Sequence, residues 1–245
     1  MRIITAAAIK GGSGKTTTAA ALAQAAAAKG RRTLCIDLDP QANFTYITAA
    51  DQNRPGSYQL LNGTPAVQLI QTTPQGVDVI AASPDLATVQ THPGSAKRLE
   101  TALRPVAESY DLVFIDTPPT LGELVFNALQ ASTGLIVPLE TDANNMQGLY
   151  QIVDLAHQMQ RSNAGLRILG TVLTRFDNRP KINRFMREAI EENGQAIGAP
   201  FLLAIRPGIA VREAQAVQRS LYDYAPKSKP AQDYMQLYKI ITKED

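Results

Sequence analysis

The chain has 245 residues, of which 44% are hydrophobic and 19% charged, and a formal net charge of +2. That balance excludes a disordered chain, and this length gives one α/β domain, spanning 1–245, the volume for a large core. The single cysteine, Cys35, lies inside an apolar run, which excludes a disulfide framework and a thiolate metal cluster and implies a reducing compartment.

The first predicted element is a buried strand, Ile3 to Ile9, with no charged leader or cleavage site before it. Lys10 to Thr17 follow, reading Lys-Gly-Gly-Ser-Gly-Lys-Thr-Thr, and they open an alanine-rich run, Thr18 to Ala28, that reads as a helix. A strand, a glycine loop and a helix N-terminus make an anion cradle, because the loop's N–H groups and the helix dipole converge on one point. Gly11, Gly12 and Gly14 let the backbone approach phosphate oxygens, with Ser13 between them. Lys15 is expected to reach the phosphates, the Thr16 hydroxyl to ligate Mg²⁺, and Thr17 to complete the loop. The general P-loop pattern wants glycine where this chain has Ile9; a second lysine, Lys10, precedes the glycine pair instead. The alanine run is too short and too often interrupted to cross a bilayer.

Further apolar runs recur at Thr33 to Ile36, Val77 to Ala82, Leu112 to Ile115, Leu135 to Leu139, Ile168 to Leu173 and Phe201 to Ile205, with helical stretches between them. Continuous rather than alternating apolar runs suit parallel strands covered on both faces, so the predicted fold is an α/β doubly wound, mostly parallel sheet with helices on both faces. Asp51 to Gly56 reads as a surface loop. Ligands in such sheets sit beyond the carboxyl ends of the strands. There the chain carries Asp37-Leu-Asp39-Pro-Gln after the second strand and Asp116-Thr-Pro-Pro after the fourth. Asp116 is suited to the hydration shell of Mg²⁺. A lone aspartate at a strand end also serves as a loop cap; two such groups beside a phosphate loop point to a metal-nucleotide site.

Together these motifs resemble those of ParA-type partition ATPases of the ParA/MinD family, in particular short plasmid forms without an N-terminal DNA-binding domain. Lys10 to Thr17 resembles the deviant Walker A, Asp37 to Gln41 the Walker A′, and Phe114 to Pro119 the Walker B. The similarity extends through Gly170 to Arg175 and Ile205 to Ala214 to the closing Asp-Tyr-Ala-Pro-Lys-Ser-Lys segment. The resemblance implies that ATP and Mg²⁺ bring two copies face to face as a homodimer, with Lys10 reaching the partner's phosphates. It implies that Asp39 orients the attacking water, that Asp37 supports the metal shell, and that Thr174, Arg175 and Pro207 lie near the adenine. With no arginine assigned to the transition state, slow hydrolysis is expected, accelerated by a ParB-like partner carrying a basic segment.

The basic character of the chain belongs to its C-terminal third. The first 160 residues carry ten basic against 13 acidic side chains, and residues 161–245 carry 14 against nine. By resemblance, Arg184, Arg187, Arg212 and Arg219 are candidates for nonspecific contact with double-stranded DNA; scattered solvating charge is the plainer reading of the same residues. Arg212 matches one ParA subgroup, whereas Ala210 stands where another branch has arginine. The implied role is partition of a plasmid or chromosome with a centromere-binding partner, in the cytoplasm on the nucleoid and without stable membrane insertion. Protein-cargo positioning and MinD-like membrane cycling are the alternatives. The latter needs a basic amphipathic C-terminal helix, but Tyr234, Leu237, Tyr238 and Ile241 in a tail ending Lys-Glu-Asp are expected to pack on the sheet. The bridging cysteines of a nitrogenase-type iron protein and the tyrosine tail of a related kinase are missing, and no substrate residues of a dethiobiotin-synthetase-like ligase are identifiable.

Overall fold

The structure, a computed structural model, describes residues 1–89, 95–142 and 144–244, and the side chains of all of these but 144 and 145. Its strands are β1 (Arg2–Ala6), β2 (Thr33–Asp37), β3 (Gln71–Thr72), β4 (Asp78–Ile80), β5 (Leu112–Asp116), β6 (Gly134–Leu139), β7 (Arg167–Leu173) and β8 (Phe201–Ala204). They form one sheet in the order β3-β4-β2-β5-β1-β6-β7-β8. Every pairing is parallel except β3 with β4. The helices are α1 (Lys15–Ala28), α2 (Asn43–Ile47), α3 (Ser57–Leu61), α4 (Arg98–Leu103), α5 (Glu123–Ala131), α6 (Asn144–Met159), α7 (Lys181–Ala196), α8 (Ile209–Ala216), α9 (Leu221–Tyr224) and α10 (Lys229–Thr242).

All seven predicted strands are present. In β2, β5 and β6 every residue is buried, as a sheet covered on both faces requires. The first strand ends at Ala6 rather than Ile9, because the chain peels away there into the glycine loop. The eighth strand, Gln71–Thr72, was not expected: two polar residues pair antiparallel at the sheet edge, with no apolar run to reveal them. Asp51 to Gly56 is the expected loop.

The order of the sheet positions the site. With β5 and β6 flanking β1, the phosphate loop leaves the middle of the sheet. The register aligns Ala6 and Asp37 on either side of Asp116, so the two strand-end carboxylates emerge side by side. The alanine-rich α1 is buried along Thr18 to Ala26, its small side chains allowing close approach to the sheet and to α10. The other side of that contact is made by Tyr234, Leu237, Tyr238 and Ile241, all buried, so the apolar face of α10 is consumed in the core. Arg2 clasps the end of this helix, donating to the carbonyls of Ile241 at 2.6 Å and Thr242 at 3.3 Å.

Candidate functional site

Two loop glycines, Gly12 at φ 77° and Gly14 at φ 91°, adopt left-handed backbone that a side chain would strain. A Cβ on Gly14 would also stand 2.9 Å from Thr174 Cγ2. Thr174 packs there because its hydroxyl donates to the Ser13 carbonyl at 2.8 Å and to that of Leu139 at 3.2 Å, fastening the loop to the ends of β6 and β7. Helix α1 begins directly after Gly14 with no side-chain cap, so its first-turn N–H groups are directed at the cradle. Lys15 is buried and donates from Nζ to the Lys10 carbonyl at 3.1 Å. Burial lowers its pKa, against the opposing pull of Asp116 and Asp39.

Thr16 Oγ1 donates to Asp116 Oδ2 at 2.6 Å. Asp116 is fully buried, its carboxyl pushed well above the ordinary range by desolvation and then by the neighbouring Asp37. Its second oxygen, Oδ1, is buried with no hydrogen-bond partner, and the same holds for the Ser13 hydroxyl in the loop. Buried polar atoms are rarely orphaned, and these two lie at the phosphate loop and at the strand end beside it. Asp37 behaves differently from the expected metal-shell residue. It is fully buried, and both of its oxygens are engaged by protein donors: Oδ1 by the N–H of Asp39 at 3.0 Å, Oδ2 by the N–H and hydroxyl of Thr45 at 2.9 and 2.8 Å. Burial raises its carboxyl to about 6. It anchors the loop that carries Asp39.

Above these groups opens a cavity of about 730 Å³. Of the residues expected around a nucleotide, Gly11, Gly12, Gly14, Lys15, Thr16, Thr17, Asp39, Thr174, Arg175 and Pro207 line it. Arg175, at φ 52°, donates to the Gly12 carbonyl at 2.7 Å and pairs with Glu140, so it braces the loop. The far wall is built by Arg206 to Gly208, Pro230 and Tyr234. It is made rigid by the two-pronged pair of Arg206 with Asp233, whose shortest contact is 2.7 Å. Arg212 lines this cavity as well, whereas Arg184, Arg187 and Arg219 do not. Lys10 stands at the rim, its Nζ 2.7 Å from Asp142 Oδ2, with both side chains more than a third exposed.

The donor set fits Mg²⁺ held jointly with a polyphosphate. No cluster of three or more His, Cys, Asp or Glu among the described residues could cage a metal alone. A threonine hydroxyl and one free carboxylate oxygen are what such an ion needs when phosphate and water supply the remaining ligands.

A family model described as "AAA domain" matches residues 1–168. The chromosome partitioning protein ParA of Myxococcus xanthus is 34% identical over 256 residues, covering 100% of this chain and 89% of that protein. The chain belongs to the ParA/MinD family of ATPases. The chromosome-partitioning ATPase Soj of Thermus thermophilus is also 34% identical, over 93% of this chain and 90% of its own. Among solved structures, cobyrinic acid a,c-diamide synthase from Mycobacterium smegmatis, with bound ATP analogue and magnesium, superposes with a TM-score of 0.85 at 27% identity, covering 99% and 95% of the two chains. The cell division ATPase MinD of Pyrococcus furiosus shares the fold, with a TM-score of 0.80 at 23% identity over 100% and 99%.

Several residues of this ParA-type site were not legible in the sequence. Thr45, Glu140, Asp142, Gln215 and Asp233 act through contacts that the fold alone creates; Gln215 Nε2, for instance, donates to Thr17 Oγ1 at 3.1 Å. Only Thr45 left a signal, a hydroxyl residue eight positions after a strand-end aspartate. The DNA candidates fall into two groups. On α7, Arg184 is exposed and donates to the carbonyls of Asn178 and Arg179, while Arg187 pairs with Glu191 at 2.7 Å and lies 5.1 Å from the Phe201 ring centroid. Arg212 and Arg219, both exposed, flank the end of α8.

Proposed function

We propose that this ParA-type ATPase dimerises on ATP and Mg²⁺, holds double-stranded DNA without sequence preference as a dimer, and releases it on hydrolysis. The observation that carries this reading is the Thr16 hydroxyl on Asp116, with the free Asp116 oxygen beside it, beneath a nucleotide-sized cavity. The N–H groups of Gly11 to Thr17 and the Lys15 ammonium hold the triphosphate, with Ser13 inside the loop; Thr16 and Asp116 hold the metal, and Asp37 keeps the neighbouring strand end in place. Bound Mg²⁺ neutralises phosphate charge. Asp39 accepts a hydrogen bond from the attacking water and orients it, while Thr174, Arg175 and Pro207 border the base.

Lys10 is the residue of this chain that reaches the partner's phosphates. Its pair with Asp142 is a half-exposed surface contact, worth about 0–1 kcal/mol, which a multiply charged phosphate outcompetes. Arg184, Arg187, Arg212 and Arg219 contact DNA phosphates. A partner with a basic segment accelerates turnover, and the cargo is a plasmid or chromosome bound through a centromere-binding protein, with the ATPase on the nucleoid in the cytoplasm.

Membrane cycling is disfavoured, because the apolar face of α10, which would have to lie on the membrane, is buried. DNA retention and liposome flotation, each with and without ATP, separate the two readings. ATP-dependent retention on any DNA sequence is expected; flotation without DNA retention would reverse the assignment.

A further inference from the structure

The loop that carries Asp39 is held by a side chain with no assigned role. Thr45, in α2, is 1% exposed, and its hydroxyl makes two contacts. It donates to Asp37 Oδ2 at 2.8 Å and accepts the N–H of Ala82 at 2.9 Å, just past the end of β4. Its own N–H donates to the same Asp37 oxygen at 2.9 Å. The other Asp37 oxygen accepts the Asp39 N–H at 3.0 Å. A continuous chain of hydrogen bonds therefore runs from the end of β4, through Thr45 and Asp37, to the backbone of Asp39. Asp39 is additionally braced by its own Oδ1, which accepts the Gln41 N–H at 3.0 Å, and Ala42 turns the loop at a left-handed φ of 52°.

We infer that Thr45 is a positioning residue for hydrolysis: its hydroxyl fixes Asp37, and through Asp37 the distance at which the Asp39 carboxylate meets water. Ala82, Thr45 and Asp37 are each at most 1% exposed, so solvent does not take the place of a missing partner at that end of the chain. A buried acceptor or donor left unmade carries its full desolvation penalty, and the local backbone relaxes to relieve it. Such a shift falls on Asp39, because the phosphate loop is fastened separately by Thr174 and Arg175. Nucleotide affinity and turnover therefore separate. Misplacement of a catalytic group by about 1 Å costs on the order of 10²-fold in rate.

The inference rests on the assignment of Asp39 to the attacking water. Single-turnover hydrolysis of ATP, the half-saturating ATP concentration and ADP affinity are compared in the parent, Thr45→Val, Thr45→Ser and Asp39→Ala. Thr45→Val keeps the shape and removes the hydroxyl; its rate is expected to fall about tenfold or more with both nucleotide readouts within about twofold. Thr45→Ser, which keeps the hydroxyl, is expected to restore the rate. A parental rate in folded Thr45→Val overturns the inference, as does a slow rate with matching loss of affinity or without rescue by serine. Should Thr45→Val not fold, Thr45→Ser is compared with Thr45→Cys, near in size but a poor hydrogen-bonding group; a slower cysteine form supports the inference and equal rates overturn it. Asp39→Ala hydrolysing at the parental rate refutes the Asp39 assignment itself, whereas inactive Asp39→Ala beside parental Thr45→Val refutes only the role of Thr45.

Discussion

Thr16 and Asp116 meet across 2.6 Å, hydroxyl to carboxylate, although 100 residues separate them in the chain. The contact joins the first turn of α1 to the end of β5 and leaves one Asp116 oxygen free. A metal held by these two side chains would keep that buried carboxylate ionised, which burial alone disfavours.

Thr16→Val therefore separates nucleotide binding from metal dependence. Calorimetric titration with ATP, with Mg²⁺ and with a chelator, is expected to show Mg²⁺-dependent tightening in the parent and none in the variant. Hydrolysis is expected to fall at least about tenfold, since charge neutralisation at a phosphoryl group contributes several kcal/mol. Unchanged Mg²⁺ dependence would remove Thr16 from the metal site.

Alanine at Arg184, Arg187 and Arg219, none of which lines the nucleotide cavity, is expected to weaken all DNA sequences alike and leave ATP-dependent association intact. The slope of log K against log salt is expected to become shallower by about 0.9 for each DNA phosphate that is no longer neutralised. Arg187 contributes least, because Glu191 and the Phe201 ring already engage its guanidinium. Retention equal to the parent's across a salt series would take these residues out of the DNA surface.

At the opposite end of the sheet, Arg32 donates from its side chain to Asp111 at 2.7 Å and from its backbone at 3.0 Å, holding that carboxyl down at about 2 against an ordinary 3.8. A depressed folded pKa means that the unfolded chain takes up protons first, so this contribution is present above about pH 4 and is lost as pH falls through about 2. The thermal-melting gap between the parent and Asp111→Asn is expected to be constant above about pH 5 and to narrow towards pH 2. The pair is exposed, so the gap is small. A gap that widens on acidification would contradict the assignment.

Where a run of residues is apolar throughout, its place in the sheet could be read directly, as with Leu112 to Ile115 and Leu135 to Leu139. The glycine loop was legible because phosphate demands backbone that only glycine adopts readily, and Gly12 and Gly14 do adopt it. Gln71–Thr72 was invisible, since an edge strand of two polar residues needs no pattern. The wall around Arg206 and Asp233 depends on α10 folding back across α1, a contact between distant segments that no local spacing encodes. Asp37 and Asp39 looked alike in the sequence. Only the register with β5 and the arrival of Thr45 make one an anchor and leave the other facing the cavity.

If ATP makes two of these subunits one particle, light scattering on Asp39→Ala, which is expected to bind ATP without consuming it, will register the pair. With ATP and Mg²⁺ the predicted mass is twice the 26.4 kDa of one chain, falling to that of one chain with ADP, and for Asp39→Ala combined with Lys10→Ala under either nucleotide. A single-chain mass for Asp39→Ala saturated with ATP and Mg²⁺, or a dimer indifferent to the nucleotide, would contradict it.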